Sequence, residues 1–234
     1  MESFLFFNRY LHITAGFIGF FVAPAALFVR KGGQWHRRWG QAFFWAMVVA
    51  GSTAIAAASL KGLTFLLLTG VFSLYLAGFG YRSLYLKELA RGSKAPVFDW
   101  ALAGVGLAVF IGTLSYGLWA GNVPAAVFGA IGIMTTGRQL RGFARAGSWA
   151  REQWLLNHIS GFVGSYITAV SAFSATSLRF IPFPYNFLWP TLLGVPLMVW
   201  WQHRVKRQFA VPAAGTPVAP FPVKIQPEPG ALSA

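Results

Sequence analysis

The chain has no cysteine and only five acidic residues. The first absence removes disulfides, thiolate metal sites, cysteine nucleophiles and lipids attached through cysteine, and leaves the redox compartment unreadable. The second leaves almost no carboxylate inside the apolar segments, so any proton-coupled chemistry there would have to run on histidine. Strand-like alternation is missing, and no catalytic signature occurs anywhere. The glycine pair in "KGG" at 31–33 is no phosphate loop, because the spacing and the strand-to-helix context are lacking. The opening "MESFLFFNRY" has no basic n-region and no clean small-residue cleavage site after it, so the first apolar run is expected to stay as a span.

What the chain does have is apolar surface: 56% hydrophobic and 17% aromatic residues, with only 10% charged. A soluble domain carries about 25% charged residues, so the composition is that of an integral membrane protein. A hydrocarbon core takes about 20 residues of helix, and seven segments qualify, near 8–29, 39–60, 63–86, 98–119, 122–140, 153–177 and 186–203. Backbone groups in lipid must be paired within the segment, so these runs read as helices. The expected fold is all-α, one polytopic transmembrane bundle over 1–209, followed by a Pro/Ala-rich cytoplasmic tail over 210–234 that is disordered or extended. The fifth segment is the shortest and meets Gly137 and Arg138 early.

Basic residues orient the spans. The first, third and fifth loops hold Arg30, Lys31, Arg37 and Arg38; Arg82, Lys87, Arg91 and Lys94; and Arg138, Arg141, Arg145 and Arg151, and the last span runs into Arg204, Lys206 and Arg207. The alternate loops hold only Lys61 and Arg179. This asymmetry predicts an outside N-terminus and a cytoplasmic C-terminus in a bacterial inner membrane. The formal charge of +14 is dispersed between apolar runs rather than gathered in one patch, so its expected partner is the anionic lipid headgroup and not nucleic acid.

Four histidines are the residues with chemistry to offer. His158 shares a helical face with Gly161, Ser165, Ala169 and Ala172; His12 with Gly16, Gly19, Ala23 and Ala26; and His36 with Gly40, Phe43, Met47, Ala50 and Ala54. Small-residue stripes let helices approach closely, so these three imidazoles are expected to face protein. His203 lies among Trp200, Trp201, Arg204 and Lys206 and reads as solvated or headgroup-bound. By helical rise His158 lies roughly 9 Å inside the membrane from Glu152, and His36 sits at the same border. These two are predicted to share a pocket. His12 enters from the opposite face, roughly 25 Å away along a straight helix, and joins them only if its span tilts or breaks, as at Pro24. Asp99, Arg138, Glu152, Tyr166 and His203 are candidate accessory polar groups.

The run "LHITAGFIGFFVAPAALFVRKGGQWHRRWGQAFFWAM", with the later "HISGFVGSYITAVSAF", resembles a family of bacterial predicted membrane proteins grouped only as a domain of unknown function. The resemblance covers most of residues 10 to 175 and singles out His12, Lys31, Gly32, His36, Arg37, Gly40, His158, Gly164, Ser165 and Tyr166. It implies a shared membrane fold and carries no activity with it.

Three functions fit these observations. His36 and His158 hold haem b or a divalent metal ion, in a redox or metal-binding role. Alternatively, glycine-lined spans carry a small molecule or lipid, with histidine protonation as the gate. In the third, the chain is an accessory subunit of a larger membrane complex or a homo-oligomer, its histidines spent on interhelical hydrogen bonds. A zinc-hydrolase site would need three protein ligands and a carboxylate, so His203, Asp99 or Glu152 would have to be recruited.

Overall fold

The computed structural model describes residues 2–145 and 147–210, so the expected tail lies outside the described residues. Seven α-helices account for most of that length: α1 (Glu2–Phe28), α2 (Gln34–Leu60), α3 (Thr64–Arg82), α4 (Val97–Trp119), α5 (Val123–Ala144), α6 (Gln153–Ser177) and α7 (Tyr185–Phe209). Two 3₁₀ turns, Ser83–Tyr85 and Lys87–Arg91, bridge α3 to α4. No strand occurs among the described residues.

Five helical segments, Glu2–Phe28, Gln34–Leu60, Thr64–Tyr85, Val97–Trp119 and Gln153–Ser177, are long and apolar enough to cross a membrane. α5 and α7 have 22 and 25 residues, but Arg138, Gln139 and Arg141 dilute the first and Gln202 to Arg207 the second. Each observed helix overlaps its expected segment, with α3 giving way to a 3₁₀ turn at Ser83 before the expected end near 86, and the ends differ for a physical reason. Hydropathy follows apolar side chains, whereas a helix continues until its backbone turns. α1 thus begins before the polar Asn8 and Arg9 and ends ahead of Gly32, whose φ of 74° suits a residue without Cβ. α1 also runs unbroken through Pro24.

Four sequential pairs pack side by side, α1 with α2, α2 with α3, α4 with α5 and α6 with α7. On the α1–α2 seam Asn8 bonds the Thr53 carbonyl and Gly19 faces Ala46 and Met47. On the α4–α5 seam a Cβ at Gly117 would sit 2.3 Å from the Ala126 backbone nitrogen. α3 and α6 form the central crossing: a Cβ at Gly161 would meet the Gly80 backbone at 2.4 Å, and one helix turn away Ser165 donates to the Ser73 carbonyl at 3.0 Å. Small residues permit this approach, and serine hydroxyls supply hydrogen bonds that lipid cannot. α7 closes on α6 through Gln202, which donates to Ser160 Oγ at 2.6 Å.

The alternation brings the start of α2, α4 and α6 and the end of α1, α3, α5 and α7 to one end of the bundle. Among the described residues, that end carries every lysine and arginine except Arg9, Lys61 and Arg179. It is called the basic end below.

Candidate functional site

The loop between α1 and α2 folds back over the basic end. Gly32 and Gly33 turn the chain, and Gly33 N–H returns to the Arg30 carbonyl at 3.1 Å. This places His36, in the first turn of α2, beside the last turn of α1. Its Nδ1 lies 3.0 Å from the Ala26 carbonyl oxygen. A carbonyl only accepts, so Nδ1 carries the proton. Ala26 is among the last four residues of α1 up to its C-terminal region, where carbonyls run out of intrahelical partners.

His158 makes the matching contact from the other side. It stands in the second turn of α6, and its Nδ1–H donates to the Gly80 carbonyl at 3.1 Å, near the end of α3. The glycine contact between Gly80 and Gly161 holds the two backbones close enough for this bond. The His36 and His158 ring centroids then lie 6.3 Å apart, at an interplanar angle of 77°. Phe162 tilts against the His158 ring at 4.6 Å, and Phe43 packs on Phe162 at 5.5 Å. The expected convergence of His36 and His158 is therefore present.

Lys31 completes the rim. Its ammonium donates to the Ala26 carbonyl at 3.3 Å and to the Leu27 carbonyl, and stands 5.2 Å from the Trp201 ring of α7. Partial burial lowers its pKa below that of an ordinary lysine. The Ala26 oxygen has two lone pairs and accepts from both Lys31 and His36.

The remaining candidates separate from this pair. Among the described residues no group of three or more histidine, cysteine, aspartate or glutamate side chains comes together. His12 stays near the other end, where Nδ1 meets the Ala50 carbonyl at 2.9 Å and Thr53 Oγ1 at 3.2 Å, because α1 does not break. Asp99, fully buried, is held by Arg82 in a two-pronged ion pair with contacts of 2.9 and 2.7 Å. Glu152 stands at the N-cap of α6 and makes no side-chain cap bond. Tyr166 packs among rings, 6.1 Å from Phe20 and 6.4 Å from Phe43. Arg138 faces a groove between α4 and α5. His203 is exposed on the final turns of α7, in line with its solvated reading. The three-ligand hydrolase arrangement thus has no counterpart among these residues.

Sequence reasoning missed the backbone partners of both imidazoles, and it missed a second polar seam in which Tyr75 donates to Gln139 Oε1 at 2.9 Å between α3 and α5. Gln139 within an apolar run was a visible signal for the latter, since a buried amide needs a partner. No family model matches the chain, and neither a curated protein nor a solved structure is similar to it.

Proposed function

We propose that this is a seven-crossing protein of a bacterial inner membrane, with its basic end in the cytoplasm, and that His36 and His158 together bind one first-row transition-metal ion. The observation that carries the reading is the hydrogen bonding of both rings: each Nδ1–H is held by a backbone carbonyl. That fixes the tautomer and orientation and leaves each Nε2 with a free lone pair, the arrangement that a metal-binding imidazole requires. Metal–imidazole bonds of about 2.0–2.1 Å hold two ring centroids on one ion roughly 5–6 Å apart, close to the 6.3 Å between these rings. Imidazole suits zinc, copper, nickel and iron. Two protein ligands leave coordination positions for water or an exogenous donor, as in an exchange or redox site.

The same imidazoles would be the axial ligands of a haem iron. A porphyrin would also need a flat slot beside them, where Phe162 lies 4.6 Å from His158 and Phe43 backs it. A bare ion asks less of the surroundings and is the form we put forward.

One observation favours a second reading. Both histidines already serve as caps, each joining its own helix to the end of another. An accessory subunit would use them for that alone. Asparagine separates the two readings, because its Nδ2 can take the place of imidazole Nδ1 while nothing replaces Nε2. Metal analysis and a visible spectrum of the purified protein, beside His36→Asn and His158→Asn, form the test: metal in the parent and none in either variant supports the ion site, and equal content in all three removes it.

A further inference from the structure

A cavity of about 330 Å³ opens between α4 and α5, away from the histidines, lined by Leu107, Ile133, Met134, Gly137, Arg138 and Arg141. Its two characters are segregated. Leu107, Ile133 and Met134 make an apolar trough. Arg138 and Arg141, one turn apart on α5 and therefore on one face, stand exposed at its basic-end mouth. Gly137 belongs to the floor, and a Cβ there would meet nothing within 4 Å, so the trough owes part of its depth to this glycine.

Among the described residues neither arginine is ion-paired with a carboxylate. Asp99, which α4 brings to the same end, is already taken by Arg82. Glu88 is taken by Arg91 at 2.8 Å. No carboxylate lines the cavity. The turn bearing Arg141 is also fixed in place: Phe143 stacks on Trp149 at 6.0 Å and leans on Trp100 at 5.5 Å. Those tryptophans belong at a headgroup boundary, which sets the guanidinium groups at phosphate depth with the trough running toward hydrocarbon.

We infer that this groove is a binding site for one anionic phospholipid, its phosphate between Arg138 and Arg141 and part of an acyl chain along Leu107, Ile133 and Met134 over Gly137. Guanidinium groups match phosphate in charge and in paired donor geometry, and a basic pocket between membrane helices is where an anionic headgroup is retained. The volume is near the lower bound of about 300 Å³ for ligand pockets, enough for a headgroup and a section of chain rather than a whole lipid. A zwitterionic lipid offers the same phosphate together with a cation that the arginines repel.

The test uses the full chain, reconstituted in vesicles of equal phosphatidylglycerol and phosphatidylcholine and then extracted, with retained lipid counted by native mass spectrometry. The parent keeps one phosphatidylglycerol in preference to phosphatidylcholine. Losing both arginines, Arg138→Gln with Arg141→Gln, lowers that retention about 25-fold, at about fivefold for each basic residue. Gly137→Leu keeps both charges, fills the floor, and lowers retention several-fold. Removing two exposed cations elsewhere at the basic end, Arg37→Gln with Arg207→Gln, changes little. The inference is overturned if that control loses as much as the Arg138/Arg141 pair, if Gly137→Leu retains lipid fully, or if excess inorganic phosphate displaces the lipid, which would make the site one for free phosphate.

Discussion

The imidazole of His158 lies with its Nδ1 3.1 Å from the carbonyl oxygen of Gly80, 78 residues away in sequence. This single bond ties the second turn of α6 to the last turns of α3 and sets the ring that faces His36. Stability and ligation therefore meet in one side chain, and substitutions can pull them apart.

His158→Phe keeps a ring and removes the donor, stranding the Gly80 carbonyl in a half-buried site. An unpaired buried polar group costs about 1–3 kcal/mol, so the apparent Tm in detergent should fall. His158→Asn restores the donor and should recover most of that loss. Equal destabilisation by both would mean that ring packing, not the hydrogen bond, is what holds this corner.

The glycine contact behind that bond should be intolerant of bulk. At Gly161 a Cβ would meet Gly80 Cα at 2.4 Å and the Leu76 carbonyl oxygen at 2.6 Å. All of these are backbone atoms, which cannot swing aside, so Gly161→Ala should cost about 1–3 kcal/mol by overpacking. Gly104→Ala, where a Cβ meets nothing within 4 Å, should be nearly silent. Thermal unfolding of both variants, with metal content alongside, checks the contrast.

The pairing of Arg82 with Asp99 predicts an asymmetry between its two members. Asp99 is fully buried while the Arg82 side chain keeps 29% of its surface. Arg82→Met would strand a buried carboxylate and should cost about 3–5 kcal/mol, whereas Arg82→Met combined with Asp99→Leu should recover much of it. Arg82→Lys should rescue poorly, since an ammonium cannot reproduce the fork. Chemical denaturation of these proteins and of Asp99→Leu alone measures this, and an additive double variant would contradict it.

Tyr75→Phe tests the seam between α3 and α5. Removing the hydroxyl leaves Gln139 Oε1, in a residue only 4% exposed, without its 2.9 Å partner. The expected loss is about 1–3 kcal/mol, with the histidine pair undisturbed. A concurrent change in bound metal would show that the two regions are coupled.

Much of the architecture was legible because it follows from transfer of side chains out of water: the apolar runs marked all seven helices, and the loop arginines marked one end. The meeting of His36 and His158 was legible for a related reason, since span direction and helical rise fix depth. What the sequence concealed were partners made of backbone. Nothing in the letters of Gly80 or Ala26 announces a carbonyl waiting for an imidazole, because that need arises only where a helix stops. Span ends were blurred likewise: α1 starts at Glu2 rather than near residue 8 because the polar Asn8 finds the Thr53 carbonyl inside the bundle. Asp99 looked available to a site until its pairing with Arg82 was visible, and that pairing depends on the short 3₁₀ connection from α3 to α4.

The most direct measurement is the metal stoichiometry of the purified protein after equilibration with zinc, copper(II) or nickel ions, in parallel with His36→Asn and His158→Asn. The account predicts one ion per chain for at least one of these metals, lost in both variants while their Tm stays close to the parent's. A parent that binds none of them, or asparagine variants that bind as well as it does, would contradict it.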